Sequence, residues 1–240
     1  VQHADILTAL TDHSDGLRAA ATAAGPDAPV STCPDWTVHR LVRHVARVQS
    51  WARASLADPS GERAVAGDPP QDWDALLAWW DEQRGALVDE LGDDPDAPAW
   101  LPFGEYPPTV GSMARRQAHE AAVHRVDAII AGRGGIGMVT FEPTFAADGV
   151  DEFLTMLLPS RRTEHQFEGS VLVHATDVDR LWSLRLEPGT PLRSADPEQP
   201  FEPDLSITGV ADQLYRALWG RPHRAGIVGE RALLEPLHAP

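Results

Sequence analysis

The hydrophobic positions change their period once along the chain, and that change divides it. Up to about residue 131, apolar residues recur at three- and four-residue steps, the spacing of one face of an α-helix. Residues 2–23 carry Ile6, Leu7, Leu10 and Leu17 in this way. "GPDAPVSTCPDW" (25–36) interrupts the pattern with turn-forming residues. A second helix follows to about Leu56, with Asp35 or Thr37 as its cap. The third, 71–92, has the clearest stripe: Trp73, Leu76, Leu77, Trp80, Leu87, Val88 and Leu91. "GDDPDAPAWLPFGEYPPT" (92–109) is a long loop with five prolines, and Thr109 then caps a fourth helix to about Ala131. Four amphipathic helices with one long crossover loop predict a four-helix bundle.

Beyond residue 131 the period changes. "GRGGIG" (132–137) reads as a linker, because its glycines neither follow a strand nor clearly open a helix, as a dinucleotide fingerprint would. A short helix is expected at about 144–158. "GSVLVHAT" (169–176) and "RLWSLRLEPG" (180–189) then alternate as strands joined by a turn at Asp177–Asp179, and "DLSITG" (204–209) is a third strand. "VADQLYRALWG" (210–220) is a helix ended by Gly220. The expectation is an α+β protein with an N-terminal bundle over 1–144 and a smaller C-terminal α/β domain over 145–240.

The chemistry concentrates on the fourth helix, in "QAHEAAVHRVDA" (117–128). Consecutive helical residues are about 100° apart. His119 and His124 therefore diverge by roughly 140° and cannot share an ion, whereas Glu120 and His124, four apart, differ by roughly 40° and can. Gln117, Glu120, His124 and Asp127 form a polar stripe between apolar margins. Such a stripe is either an inward polar site or a solvated face, and the pattern does not choose. A third ligand would come from a facing helix. His44 lies among Leu41, Val45, Val48, Trp51 and Ala52, on the face expected to be buried; His39 points roughly 140° away, toward solvent. His44, Glu120 and His124 would make a His₂Glu set with an open position, the arrangement of catalytic zinc. Asp127, one turn after His124, is either an acceptor that fixes the imidazole tautomer or a surface carboxylate.

Other candidates are weaker. Cys33 has no evident partner for nucleophilic chemistry, the serines lack a G-x-S-x-G elbow, and His3, His13, His165, His174, His223 and His238 show no ligand spacing. Trp36 and Trp100 are positioned to line a pocket.

Composition narrows the partners. The formal net charge of −16 disfavours nucleic acid and anionic membrane surfaces. A single cysteine excludes an intramolecular disulfide and suits a reducing cytosol. The first residues carry no signal-peptide pattern, and no segment approaches ~20 uninterrupted apolar residues. A cytoplasmic protein is expected.

Several blocks together carry a family resemblance: "STCPDWTVHRLVRHVARVQSWA", "RRQAHEAAVHRVDA", "AADGVDEFL" and "LSITGVADQLYRALWGR". The chain resembles the actinobacterial mycothiol-dependent maleylpyruvate isomerase family, within the DinB-like metalloenzymes. The resemblance implies a DinB-like bundle holding Zn²⁺ or another divalent ion on His44, Glu120 and His124, the three that helix geometry had selected, and a smaller domain that closes the cleft. It further implies that Arg221 faces the cleft and supports activity, a residue that pattern alone does not select. Mycothiol would be the thiol cosubstrate and a small electrophile its target, giving a maleylpyruvate-type cis–trans isomerase or a thiol S-transferase. A metal-dependent hydrolase or a non-catalytic metal- or ligand-binding regulatory module would use the same ligands. No nucleic acid or membrane partner is expected, and the chain would act as a monomer or small homo-oligomer.

Overall fold

Each of the four long helices starts at or beside a residue able to satisfy its first free N–H groups. In the computed structural model, which describes residues 1–92, 94–133, 139–161, 164–195 and 202–238, α1 spans His3–Ala24 behind a Gln2–Asp5 capping box. Helix α2, Val38–Ala57, is capped by Thr37, whose Oγ1 accepts from Arg40 N. Helix α3, Trp73–Leu91, is capped by Asp72 in the same way. Helix α4, Val110–Arg133, follows Thr109, whose Oγ1 accepts from Ser112 N at 3.3 Å.

These helices form the first of two compact units, Val1–Pro102 with Pro107–Val139. Helix α1 lies along α4, and α2 packs on α3 and α4. Ala21 on α1 and Ala118, Ala121, Ala122 and Ala128 on α4 are all fully buried, and the Arg125 side chain of α4 packs against Gly16 of α1. A Cβ on Gly132 would come within 3.2 Å of Ala24 Cβ. Across α2 and α3 the core is larger, with Leu41, Val42, Val45, Leu76, Leu77 and Trp80 in one cluster. The Trp80 indole N–H donates to Gln49 Oε1 at 2.7 Å, and Gln49 Nε2 donates to Ser14 Oγ at 3.3 Å. This buried chain gives the Trp80 and Gln49 donors partners within the core.

The second unit comprises Phe103–Tyr106 and Thr140–Pro240. Its sheet runs in the order β3-β2-β1-β4-β5. Strands β1 (Gly169–Ala175) and β2 (Arg180–Leu186) are antiparallel, β4 (Leu205–Gly209) is parallel to β1, and β5 (Gly226–Gly229) is antiparallel to β4. Alternation buries Val171, Val173, Ala175, Trp182, Leu184, Leu186, Leu205 and Ile207, the period-two pattern of a sheet with one covered face. Strand β2 stops at Leu186, short of the expected residue 189, because Pro188 and Gly189 (φ 76°) form a turn. The short strands β3 (Arg193–Ser194) and β5 are additional to the expected three; both are too brief to show a period.

The helix expected at 144–158 is a composite. Helix α5, Pro143–Glu152, passes into a π turn at Phe153–Leu157 and then α6, Leu158–Arg161. Leu158 N donates to Phe153 O, five residues back. Pro159 would clash with the carbonyl four residues before it in a regular helix, and the wider turn relieves this. Helix α7 spans Ala211–Leu218, and a 3₁₀ helix spans Arg231–Leu237. Residues 134–137 of the glycine-rich linker lie outside the described residues. No described helix is long and apolar enough to cross a membrane.

Gln49 supplies a testable point. Gln49→Leu strands a buried indole N–H and should lower the unfolding free energy by about 1–3 kcal/mol. Urea denaturation followed by tryptophan fluorescence measures it, and an unchanged midpoint would refute the role given to this chain of bonds.

Candidate metal centre

The contacts with α1 and with α2 bury α4 on more than one side. Its polar stripe is therefore internal: Gln117, His124 and Asp127 are buried, and the Glu120 side chain is only 13% exposed. Of the two readings of the stripe, burial selects the inward one.

Glu120 Oε1 lies 2.9 Å from His44 Nε2 and 3.3 Å from His124 Nε2. Ligand atoms of His44, Glu120 and His124 all fall within 4.8 Å of one another. Donors about 2.0–2.1 Å from an ion at tetrahedral angles stand about 3.3 Å apart, so the set has the dimensions of a metal site. Two imidazoles and one carboxylate are a donor set suited to zinc. His44 is half-buried, at 36% side-chain exposure, rather than buried as its apolar neighbours suggested. It lies at the rim, and the set opens to solvent on its side.

The electrostatics favour cations here. Burial, the largest influence, pushes Glu120 up, but the hydrogen bonds from His124 and His44 and the charges of His124 and Arg116 outweigh it and hold the carboxyl well below its usual range. Arg116, itself buried, places Nη2 3.5 Å from Glu120 Oε2. Burial likewise pushes His124 down, yet Asp127 and Glu120 together raise it to about 9. Without an ion, a proton on His124 balances the carboxylates at neutral pH.

Behind the ligands is a supporting layer. Asp127, fully buried, accepts from His124 Nδ1 at 2.9 Å, which turns Nε2 toward Glu120 and His44. The alternative of a surface carboxylate is thereby removed. Thr32 Oγ1 donates to Asp127 Oδ1 at 2.6 Å, and Cys33 Sγ approaches Oδ2 at 3.6 Å. Both come from the turn before α2, closed by Val30 N to Trp36 O and by Asp35 at φ 65°. The same turn lays the Trp36 ring 5.0 Å from His44 and 6.1 Å from His124, centroid to centroid. Sequence reasoning missed Thr32, the Asp127 contact of Cys33 and the charge supplied by Arg116. Its only signal was the proximity of "STCPDW" to the start of α2.

Other candidates go elsewhere. His119 is fully buried and contributes, after burial and Arg125, to lowering His13 to about 4. His39 is half-buried, with Nε2 2.8 Å from Gln71 O. Trp100 packs edge-on to Trp51. In the second unit Arg221 follows α7 in a Schellman motif: Arg221 N donates to Arg216 O and Gly220 N to Ala217 O, with Gly220 at φ 66°. Arg221 Nη1 donates to Trp219 O at 2.5 Å.

Comparison with known proteins bears on this arrangement. A family model described as the mycothiol maleylpyruvate isomerase N-terminal domain matches residues 7–129, and one described as the MDMPI C-terminal domain matches residues 144–236. A solved structure of a histidine-to-alanine variant of the mycothiol-dependent maleylpyruvate isomerase is similar over 96% of this chain and 95% of its own, with a TM-score of 0.67 and 13% identity. A structure of the same isomerase without that substitution gives a TM-score of 0.64 at 13% identity and the same coverage. At this identity the likeness is one of fold. No curated protein matches the sequence.

Two predictions follow from the geometry. The folded pKa of His124, about 9, exceeds its unfolded value of 6.5. The stability it contributes is therefore full below 6.5 and is lost as pH rises through 9. Chelated protein should lose up to a few kcal/mol of unfolding free energy between pH 6.5 and 9.5 from this group, and His124→Gln should remove that dependence. An identical slope in the variant would count against the assignment. At Gly220 a Cβ would meet nothing within 4 Å, but the left-handed conformation disfavours one. Gly220→Ala should cost about 1 kcal/mol, measurable as a fall in midpoint; a neutral effect would show that the C-terminal turn tolerates another conformation.

Proposed function

Because the chain belongs to the mycothiol maleylpyruvate isomerase family, we propose that it is a metal-dependent enzyme using mycothiol to isomerise a small cis-enone acid of the maleylpyruvate type. The observation that carries this reading is the convergence of His44, Glu120 and His124 within 4.8 Å, inside the region matched by the family model.

His44 Nε2, Glu120 Oε1 and His124 Nε2 would hold a divalent ion, with zinc the best match to the donors. When bound, such an ion lowers the pKa of a coordinated thiol, normally near about 8.5, so that thiolate is present at neutral pH. Isomerisation needs a thiolate that adds reversibly to the conjugated double bond, so that the resulting single bond rotates before the same C–S bond breaks. Thiol and proton are conserved overall. The residues of the chain prepare for this. Asp127 holds the His124 tautomer, leaving the Nε2 lone pair for the ion. Thr32 fixes Asp127, and Arg116 offsets the charge of Glu120. Trp36 shields one side of the two imidazoles from water. Arg221, by family resemblance, would bear the negative charge that develops on the substrate oxygen; its backbone is held by the Schellman turn.

Protein purified without chelator should contain about one zinc per chain, and His44→Ala should lose it. Metal retained by that variant removes His44 from the site. With mycothiol and maleylpyruvate, turnover should require the thiol and fall roughly 100-fold or more in Arg221→Gln with metal content unchanged. Absence of thiol-dependent turnover overturns the isomerase reading; a stable thioether product on other electrophiles would replace it with S-transfer.

A further inference from the structure

Acidic residues outnumber basic ones in this chain, 36 to 20, so partners for arginine are in surplus. On α1, α2 and α3 the arginines follow that expectation, with two exceptions. Arg18 pairs with Asp81, Arg43 with Asp68, Arg53 with Glu90, and Arg84 with Asp15 and Asp81. Arg40 and Arg47 pair with no carboxylate among the described residues, and both are exposed. They are four residues before and three after His44 on α2. At about 100° and 1.5 Å per residue, both lie within roughly 60° of His44 on the same side, about 6 and 4.5 Å along the axis from it.

A second contact ties Arg40 to the centre. Its guanidinium carbon lies 5.2 Å from the Trp36 ring centroid, and that ring is the one against His44 and His124. A guanidinium resting on an indole keeps its N–H groups available at the edge, in the fork that matches a carboxylate. Asp35, next to Trp36, makes no ion pair with Arg40. The half-exposed side chain of His44 is where the centre meets solvent, so the two unpaired cations flank the open side. A protein of net charge −16 repels anions over most of its surface. An anionic ligand approaching this centre needs a local reversal of sign, which these residues supply.

We propose that Arg40 and Arg47 form an anion-recognition site on α2, beside the metal centre, that takes a carboxylate of the incoming ligand. The proposal rests on the reading of the centre for its purpose, though not for its measurement. The two guanidiniums face solvent, so their effect is on affinity and its salt dependence rather than on folding.

The test is calorimetric titration of the full chain, metal content recorded, with maleate and with its neutral diamide at low and moderate salt. The wild type should bind maleate in preference to the diamide and lose affinity as salt rises. Arg40→Gln/Arg47→Gln should weaken maleate by about tenfold and flatten the salt dependence, with metal content and unfolding midpoint unchanged. Arg63→Gln/Arg231→Gln, which makes the same change in net charge elsewhere, should bind maleate as the wild type does. The proposal is overturned if the wild type does not bind maleate, if the Arg40/Arg47 variant binds within twofold of it, or if the control variant loses as much. Failure of the metal reading is seen separately, as wild-type protein without metal, and leaves the anion titration interpretable.

Discussion

One carboxylate organises the first unit. Glu120 is carried inward on α4, where an unbalanced charge would be severely destabilising, and every neighbouring feature answers that constraint. His44 reaches it from α2, His124 from the next turn of α4, and Arg116 from the preceding one. Alanines and glycines are frequent on the buried sides of α4 and on α1 beside it, as at Ala24 against Gly132, which lets the backbones approach. Packing and electrostatics are therefore a single requirement: widening that contact would expose the carboxylate, and removing the cations would leave it uncompensated.

The same balance would make a proton and a metal ion alternatives at this cluster. The site holds His124 protonated well above its ordinary range because two carboxylates face it. An ion between Nε2 of both histidines and Oε1 of Glu120 would meet the same demand for positive charge while requiring Nε2 to be free. Asp127 is compatible with either state, since it engages Nδ1 only. The supporting layer can thus keep one geometry through loading and loss of the ion.

The periodicity of the sequence made the four helices legible, and helix geometry extended that to the constellation. The angle between His119 and His124 separated them, and the neighbours of His44 placed it toward the bundle. The degree of burial was less legible. His44 lies on the rim because a helix face has an edge, which a projection around the axis does not locate. Trp36 was named from its nearness in sequence, but its contacts with the imidazoles, and those of Thr32 and Cys33 with Asp127, were beyond such reasoning for a different cause. They are delivered by a turn whose path depends on backbone bonds and on Asp35 in a left-handed conformation, and no side-chain period records that. The π turn and the two brief strands are likewise set by what they pack or pair against. Arg221 was chosen by resemblance. In the structure its backbone is held by the helix-terminating bonds around Gly220, and the sequence showed only the glycine.

Spacing also determines how the centre depends on the fold. A helix bearing both histidines and a carboxylate on one face could assemble ligands locally. Here Glu120 and His124 are four residues apart, but His44 belongs to another helix, and the group fixing Asp127 belongs to the turn that introduces it. A fragment of α4 alone would supply two of the three candidate ligands and neither Thr32 nor Trp36. An ion bound on the proposed set would consequently be coupled to docking of α2 and its turn on α4, and would stabilise that docking by its binding free energy. The shared dependence makes α2 the pivotal element of the unit, because it contributes to the core, to the ligands and to the solvent-facing side of the centre at once.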